Sequence, residues 1–461
     1  MELKGKKVLV AGTGISGVAA AQLLLKMGAD TILYDGNEKL CKEQIRAKSD
    51  ALQEVPIVLG ELGADLARTL DLAVLSPGVP LDSPAAQQLA DAGVTLWGEI
   101  ELAYRCAKGR LAAITGTNGK TTTTALVGEI CKSHFADVQI VGNIGIPYTS
   151  LAAQMTDETV TAAEISSFQL ETADTFCPDV SAILNITPDH LNRHHTMDCY
   201  IAIKESITKN QKPGQACVLN YEDEVLRAFG DTLADRLNVI YFSSKRKLKR
   251  GFYLEDGNIW LAGENGEQKI VAVRALNLLG MHNYENVMAA AAVTHALGVP
   301  MEKIVKVLQT FRAVEHRIEY VEEIAGVRYY NDSKATNPDA AIQGIRAMER
   351  PTWLIGGGYD KQSEYGDWID AFGGKVRKLV LIGATREKIA ETAAEKGFLD
   401  VVMCRTLEEA IAYCHAHAQP GDAVLLSPAC ASWDMFPNYE ERGRIFKETV
   451  RSFLDEIRYK K

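Results

Sequence analysis

The stretch Leu111-Ala-Ala-Ile-Thr-Gly-Thr-Asn-Gly-Lys-Thr-Thr122 decides the reading of this 461-residue chain. An apolar run feeds a loop carrying Gly116 and Gly119, and Lys120 then opens a helix pattern. Backbone amides in such a loop wrap phosphate oxygens, the lysine neutralises them, and the Thr121 hydroxyl reaches a divalent cation. A cation at a helix N-terminus is unfavourable unless an anion sits there, so the pattern points to nucleotide phosphates. The full P-loop pattern asks for glycine at position 114, where this chain has Ile114, so the loop is a shorter variant.

Outward from this loop, short apolar runs alternate with amphipathic stretches. Before it lie Lys7 to Ala11, a helical pattern from Ser16 to Met27, Thr31 to Tyr34 and Leu72 to Leu75; after it come Ala162 to Ile165 and Ser181 to Asn185. The rhythm restarts with Val327 to Tyr330, Thr352 to Ile355, Lys378 to Ile382 and Ala423 to Leu426. Repeated β-α-β units predict an α/β protein of three domains, each on a mainly parallel sheet with flanking helices. The boundaries expected are 1–97, 98–313 and 314–461, with Lys245 to Ala275 read as an antiparallel side sheet attached to the second.

Hydrophobic residues make up 47% and charged residues 24%, a globular balance that excludes extensive disorder. A net charge of −10 argues against nucleic acid or an anionic membrane as partner, since both need a basic face. Nine scattered cysteines without a C-x-x-C pair read as reduced thiols in cytosol. The start of the chain runs directly into a strand, without the apolar run of a signal peptide, and no stretch is long and apolar enough for a membrane span. The expectation is a cytoplasmic protein.

Gly12-Thr-Gly14-Ile-Ser-Gly17 between a strand and a helix is a diphosphate-binding fingerprint, with Asp35 ending the next strand. A nicotinamide enzyme would use that acid on ribose, so an oxidoreductase is one reading; a turn that binds nothing is another. Glu164 closes a strand and Asp189-His190 follows one, at the edge where the phosphate loop lies, as suits magnesium held partly by phosphates. Taken singly, a helix-cap role for Glu164 and a core role for His190 are the favoured readings, and their shared edge beside the phosphate loop reverses that. Lys204 on a helix reads by periodicity as a solvated charge. Asn283 and Asn286 open an alanine-rich helix, Asn283 placed to cap it or to meet a base. Four further clusters lie on loops: Glu315 to Arg317, Asn331 to Pro338, Gly356 to Lys361 and Ser427 to Asp434. In these, Asp332 as an N-cap and Lys361 as a surface charge are the plain alternatives.

In this order the motifs resemble the Mur ligase family over nearly the whole chain, most of all its D-glutamate-adding branch. Ser76-Pro-Gly78, Gly142-Asn143-Ile-Gly145, Glu164-Ile-Ser-Ser-Phe-Gln169 and Ser427-Pro-Ala-Cys-Ala-Ser-Trp-Asp-Met-Phe436 through Glu441-Arg442-Gly443 carry the likeness. The resemblance implies Rossmann-like outer domains around a P-loop ATPase-like middle one. It implies an ATP-dependent ligase that makes an acyl phosphate and joins D-glutamate to UDP-N-acetylmuramoyl-L-alanine in peptidoglycan synthesis, acting as a monomer. For the UDP-substrate it implies Gly12, Gly14, Ile15, Ser16, Gly17, Asp35, Gly36, Ser76, Pro77, Gly78, Asn143, Gln169 and His190. For ATP it implies Gly116, Thr117, Asn118, Gly119, Lys120, Thr121, Thr122, Asn283, Asn286, Arg317 and Asp332. Lys120, Glu164, His190 and Lys204 are the implied catalytic set; Thr121, Glu164, His190 and a carbamylated Lys204 would hold two Mg²⁺. Lys334, Thr336, Lys361, Ser432, Trp433 and Tyr439 are implied for D-glutamate. The chain departs from some members at Gly36-Asn37, where a Thr-Arg pair meets uracil, and at Trp433, where leucine is common.

An NAD(P)-dependent oxidoreductase, a non-catalytic nucleotide-binding regulator and a sister ligase for another amino acid or for folate are the rival readings. Binding of NADH rather than UDP, or nucleotide binding without phosphate release, would separate the first two.

Overall fold

The computed structural model describes residues 2–143, 145–264, 266–312 and 315–459. Its backbone forms three sheets, and each places one of the loops singled out above at the carboxyl ends of its strands. Strands β1 (Lys7–Ala11), β2 (Asp30–Asp35), β3 (Ile57–Leu59), β4 (Leu72–Leu75) and β5 (Thr95–Gly98) make a parallel sheet in the order β3-β2-β1-β4-β5. Helices on both faces bury these strands, which is why β1 and β4 read as unbroken apolar runs rather than alternating ones. The chain steps outward from β1 to β3, then returns to β4 on the other side. A crevice opens where the order reverses.

The second sheet holds β6 (Arg110–Thr115), β7 (Val138–Gly142), β8 (Val160–Glu164), β9 (Val180–Ile183), β10 (Ala216–Asn220), β11 (Asn238–Ser243), β12 (Gly251–Glu255), β13 (Asn258–Gly263) and β14 (Gly266–Ala272), in the order β14-β13-β12-β11-β10-β9-β6-β8-β7. Strands β6 to β12 run parallel, and β12 to β14 fold back as antiparallel hairpins. This corrects the expected side sheet: Phe242 of β11 pairs with Phe252 of β12, so the hairpins extend the main sheet. An uncovered β11 would present a row of unpaired amides and carbonyls, and the hairpins satisfy it.

The third sheet contains β15 (Glu319–Ile324), β16 (Val327–Asn331), β17 (Thr352–Gly356), β18 (Val376–Leu381), β19 (Val401–Met403) and β20 (Ala423–Leu426), ordered β15-β16-β20-β17-β18-β19. Only β15 is antiparallel. Helix ends follow local chemistry: Asn337 caps the helix Pro338–Ala347 by accepting from the Ala340 amide, with proline in the first turn. Asp332 therefore caps nothing.

Three α/β domains thus share one pattern, while packing divides the chain into two compact units. One comprises Met1–Val273 with Glu285–Leu308 and holds the first two sheets; the other comprises Arg274–Tyr284 with Gln309–Lys461 and holds the third. The boundary expected at residues 313 and 314 lies outside the described residues. Among the described residues no helix is long and apolar enough to cross a membrane.

Candidate active site

The crevice of the first sheet is a cavity of about 990 Å³. Gly12, Gly14, Ile15 and Ser16 line it after β1, Asp35 and Gly36 after β2, Ser76, Pro77 and Gly78 after β4, and Asn143 reaches it from the second sheet. Eleven of the thirteen expected UDP-substrate residues are placed in Gly12–Gly17 or at this cavity, and two are placed elsewhere. Gly17 is among the former but faces inward: a β-carbon there would lie 1.8 Å from the Gly12 carbonyl oxygen, so this glycine serves the close approach of helix to turn. Gln169 is buried and its Oε1 accepts from the Ser166 amide and hydroxyl, completing a capping box. His190 sits in the second sheet's loop, outside the cavity lining. Asp35 is largely occupied by its own chain: Oδ2 accepts from the Thr13 amide (3.1 Å) and hydroxyl (2.8 Å), and Oδ1 from the Asn37 amide (3.1 Å).

The phosphate-type loop follows β6. Asn185 fixes it from the loop after β9, its Oδ1 accepting from the Asn118 amide (2.8 Å) and its Nδ2 donating to the Asn118 carbonyl (3.1 Å). Thr117 is held by the Asn185 carbonyl, Thr187 and the Tyr200 hydroxyl. Gly119 is left-handed (φ 86°), and a β-carbon there would lie 2.2 Å from Asn286 Oδ1. Asn286 is thus packed directly on the loop. Lys120 opens the helix Lys120–Lys132, and its Nζ donates to the carbonyls of Gly116 and Thr117, 2.9 Å each.

Glu164 ends β8 beside this loop and is buried. Its Oε1 accepts from Asn143 Nδ2 at 3.0 Å, while Oε2 has no hydrogen-bond partner. The cap of the next helix is Ser166, so Glu164 is free of that role. A buried carboxylate oxygen left unpaired is costly and suits a cation. His190 is half-exposed, sits in the left-handed region (φ 52°), and packs its ring on Phe168 with centroids 4.8 Å apart. Neither a core role for His190 nor a solvated one for Lys204 survives. Lys204 is 1% exposed; its Nζ donates to the Gly116 carbonyl at 2.9 Å and lies over the Tyr200 ring. Burial, with Lys120 nearby, lowers its ammonium to about 7.

In the second unit, Asp332 follows β16 and is fully buried. It accepts from the Ser427 hydroxyl (2.7 Å) and the Ile318 amide (3.2 Å), and desolvation raises its carboxyl to about 7. Next to it, Arg442 is buried and staples two loops: Nε donates to Ser333 Oγ (2.9 Å), Nη2 to the Ser333 carbonyl (2.7 Å) and Nη1 to the Cys430 carbonyl (3.1 Å). Lys334 and Ser432 lie one and two residues beyond those anchors. Lys334 Nζ lies over the Tyr439 ring (5.5 Å), and Lys361 Nζ over Trp433 (5.1 Å), an exposed indole packed on Tyr359. Thr336 is half-buried on the same loop as Lys334. Asn283 lies inside the helix Met281–Ala296, its Nδ2 donating to the Leu279 carbonyl (2.7 Å), so it is no cap. Arg317 keeps a buried Nε without a partner. Sequence reasoning missed Asn185, Tyr200 and Arg193, and it quoted Arg442 without giving it a role. The contacts Asn185–Asn118, Tyr200–Thr117, Arg442–Ser333 and Arg193–Pro77 join residues 67 to 116 apart in the chain, and no local spacing marks them.

Three α/β domains whose binding loops stand at the carboxyl edges of their sheets define a nucleotide-handling enzyme class. Family models narrow it: a MurD-like Mur ligase N-terminal domain matches residues 6–98, the Mur ligase middle domain 114–294, and the Mur ligase glutamate ligase domain 316–430. The chain belongs to the Mur ligase family. Among its relatives, a UDP-N-acetylmuramoylalanine--D-glutamate ligase of Lachnoclostridium phytofermentans is 54% identical, covering 99% of this chain and 100% of the relative. The enzyme of that name from Clostridioides difficile is 43% identical over 98% of this chain and 100% of its own. In fold, the chain resembles the UDP-N-acetylmuramate-alanine ligase MurC of Thermotoga maritima (TM-score 0.60, 20% identity, 97% of this chain and 99% of that one). It also resembles a MurF ligase of Thermotoga maritima solved with ADP (TM-score 0.55, 17% identity, 98% and 96% covered).

Proposed function

We infer that this chain is an ATP-dependent amide ligase that adds D-glutamate to UDP-N-acetylmuramoyl-L-alanine, releasing ADP and phosphate, in the cytoplasmic stage of peptidoglycan synthesis. The observation that carries this is end-to-end identity of 54% with a relative bearing that activity's name. The chain acts as a monomer, with domains 1–97 for the UDP-substrate, 98–313 for ATP and 314–461 for the amino acid.

The Gly12–Gly17 turn, with Asp35, Gly36, Ser76–Gly78 and Asn143, takes the UDP-substrate; the wide cleft at the end of β1 supports this. Gly116–Thr122 and Asn286 take the ATP phosphates, with Asn283, Arg317 and Asp332 serving the rest of the nucleotide. Lys334, Thr336, Lys361, Ser432, Trp433 and Tyr439 take D-glutamate, whose two carboxylates suit two lysines. Magnesium, held by Thr121, Glu164 and His190, would screen the phosphate oxygens, and the unpartnered Glu164 Oε2 fits that role. Lys204 in its neutral form adds to CO₂, forming an N–C bond and losing a proton, which turns a buried amine into a carboxylate-like ligand.

In the first half-reaction the substrate carboxylate attacks the γ-phosphorus in line and ADP leaves, while Lys120 gives up its loop carbonyls to neutralise the equatorial oxygens. The D-glutamate amine then attacks the acyl phosphate carbonyl, loses a proton and expels phosphate. Purified protein supplied with UDP-N-acetylmuramoyl-L-alanine, ATP and each amino acid in turn tests the assignment. Phosphate release with D-glutamate alone is expected; release only with another amino acid, or none with any, overturns it.

A further inference from the structure

Arg193 stands three residues after His190 on the short helix Leu191–His194, and its guanidinium reaches out of the second sheet's domain. Nη1 donates to the Pro77 carbonyl at 2.8 Å and Nη2 to the Val79 carbonyl at 3.3 Å. The same group pairs with Glu171, Nη2 to Oε2 at 2.6 Å and Nε to Oε1 at 3.1 Å. Both side chains are nearly buried, 13% and 9% exposed. The guanidinium carbon also lies over Phe168, 4.2 Å from the ring centroid, and Phe168 packs in turn on His190. One planar fork therefore joins the Ser76–Val79 turn, which walls the first-sheet cleft, to the ring that backs His190.

A buried ion pair is weak evidence for stability, because desolvation offsets most of its attraction. What a guanidinium supplies that an apolar side chain cannot is fixed bidentate geometry. The joint has little slack: the cavity beside it, lined by Ser76, Pro77, Glu99, Gln169 and Arg193, measures about 10 Å³. A substrate gripped by its diphosphate in the first domain must deliver a distant carboxylate to the phosphate loop of the second. Displacement by about 1 Å can cost roughly 100-fold in rate.

We propose that Arg193 is a positioning residue for this reaction, setting the span between the UDP cleft and the His190 segment through the Pro77 and Val79 carbonyls. The proposal rests on the ligase reading above. Its test uses the full chain as Arg193→Ala, Arg193→Lys and Glu171→Gln, with KM for the UDP-substrate, ATP and D-glutamate, kcat and thermal midpoints measured for each. Expected for Arg193→Ala is a fall of about 100-fold in kcat/KM for the UDP-substrate with KM for ATP within about twofold of the parent. Arg193→Lys recovers part of it, since one ammonium meets one or two of the acceptors. Should Arg193→Ala fail to fold, Glu171→Gln decides, with the same selective loss at about tenfold. UDP-substrate kinetics unchanged within about twofold, or losses shared equally by all three substrates and tracking the thermal midpoint, would overturn the proposal. A parent protein inactive on the UDP-substrate would instead sink the ligase reading itself.

Discussion

Lys120 and Lys204 donate to the same acceptor, the Gly116 carbonyl oxygen, each at 2.9 Å. Two ammonium groups on one oxygen repel, and the one in the deeper site gives up its proton more readily. With Lys204 lowered to about 7, roughly half of it is neutral at pH 7 and about a tenth at pH 6. Only the neutral amine captures CO₂, so a carbamate signal from ¹³C-bicarbonate is expected at pH 8 and should fade as pH falls below 7. Its persistence in Lys204→Met would show that the label sits elsewhere.

Lys120→Ala removes the cation proposed to meet the transferring phosphoryl group. Turnover should drop by about 10³-fold or more, by analogy with other preorganised charge stabilisers. Amide formation near the parent rate would refute the role given to this lysine.

Gly119→Ala meets two obstacles, a left-handed backbone and Asn286 Oδ1 at 2.2 Å. The conformation alone costs about 1–2 kcal/mol, and Asn286 must move off the loop. Denaturant unfolding should register the loss, and KM for ATP should rise about tenfold. An unaltered KM would mean that Asn286 is not part of the nucleotide site.

Asp332 carries a pH signature. Its folded carboxyl lies at about 7, above the unfolded value of about 3.9, so the folded chain keeps a proton that the unfolded chain has released. The stability it contributes is fully present below about pH 4 and is lost as pH rises through 7, at no more than about 1.4 kcal/mol per unit. Asp332→Asn should lack this slope, and urea midpoints at pH 5, 6 and 7 would reveal it. Parallel curves for parent and variant would contradict the assignment.

Arg442→Ala leaves the Ser333 and Cys430 carbonyls buried without their donor. A loss of about 3 kcal/mol is expected in chemical denaturation. Arg442→Lys, which keeps the charge but not the fork, should fold and show KM for D-glutamate raised about tenfold with KM for ATP unchanged. Equal shifts in both would assign Arg442 to general stability.

Much of this architecture is legible in the sequence. Apolar runs ending in Gly116, Gly12 and Ser76 fall on the carboxyl edges of parallel strands because such strands are buried on both faces and leave only their ends for polar loops. The segment expected as an antiparallel side sheet attached to the second domain does form antiparallel hairpins, but they continue the main sheet through β11, because nothing local says which edge a hairpin joins. Gln169, expected at the substrate, commits its Oε1 to a capping box whose Ser-x-x-Gln spacing stands in the sequence as Ser166 to Gln169. Lys204 shows the opposite limit: helical periodicity cannot tell a solvated lysine from one aimed into a neighbouring loop. Arg193 and Arg442 lie further out of reach, since each is defined by carbonyls of distant turns.

The saturation of Asp35 bears on how glycine-rich fingerprints should be interpreted. With three acceptor positions filled by Thr13 and Asn37, that carboxylate braces the turn and keeps little capacity for a sugar diol. A pattern search that equates glycines plus a downstream acid with redox chemistry is detecting a handle for pyrophosphate, and the cargo hung on that handle is decided by the walls around it.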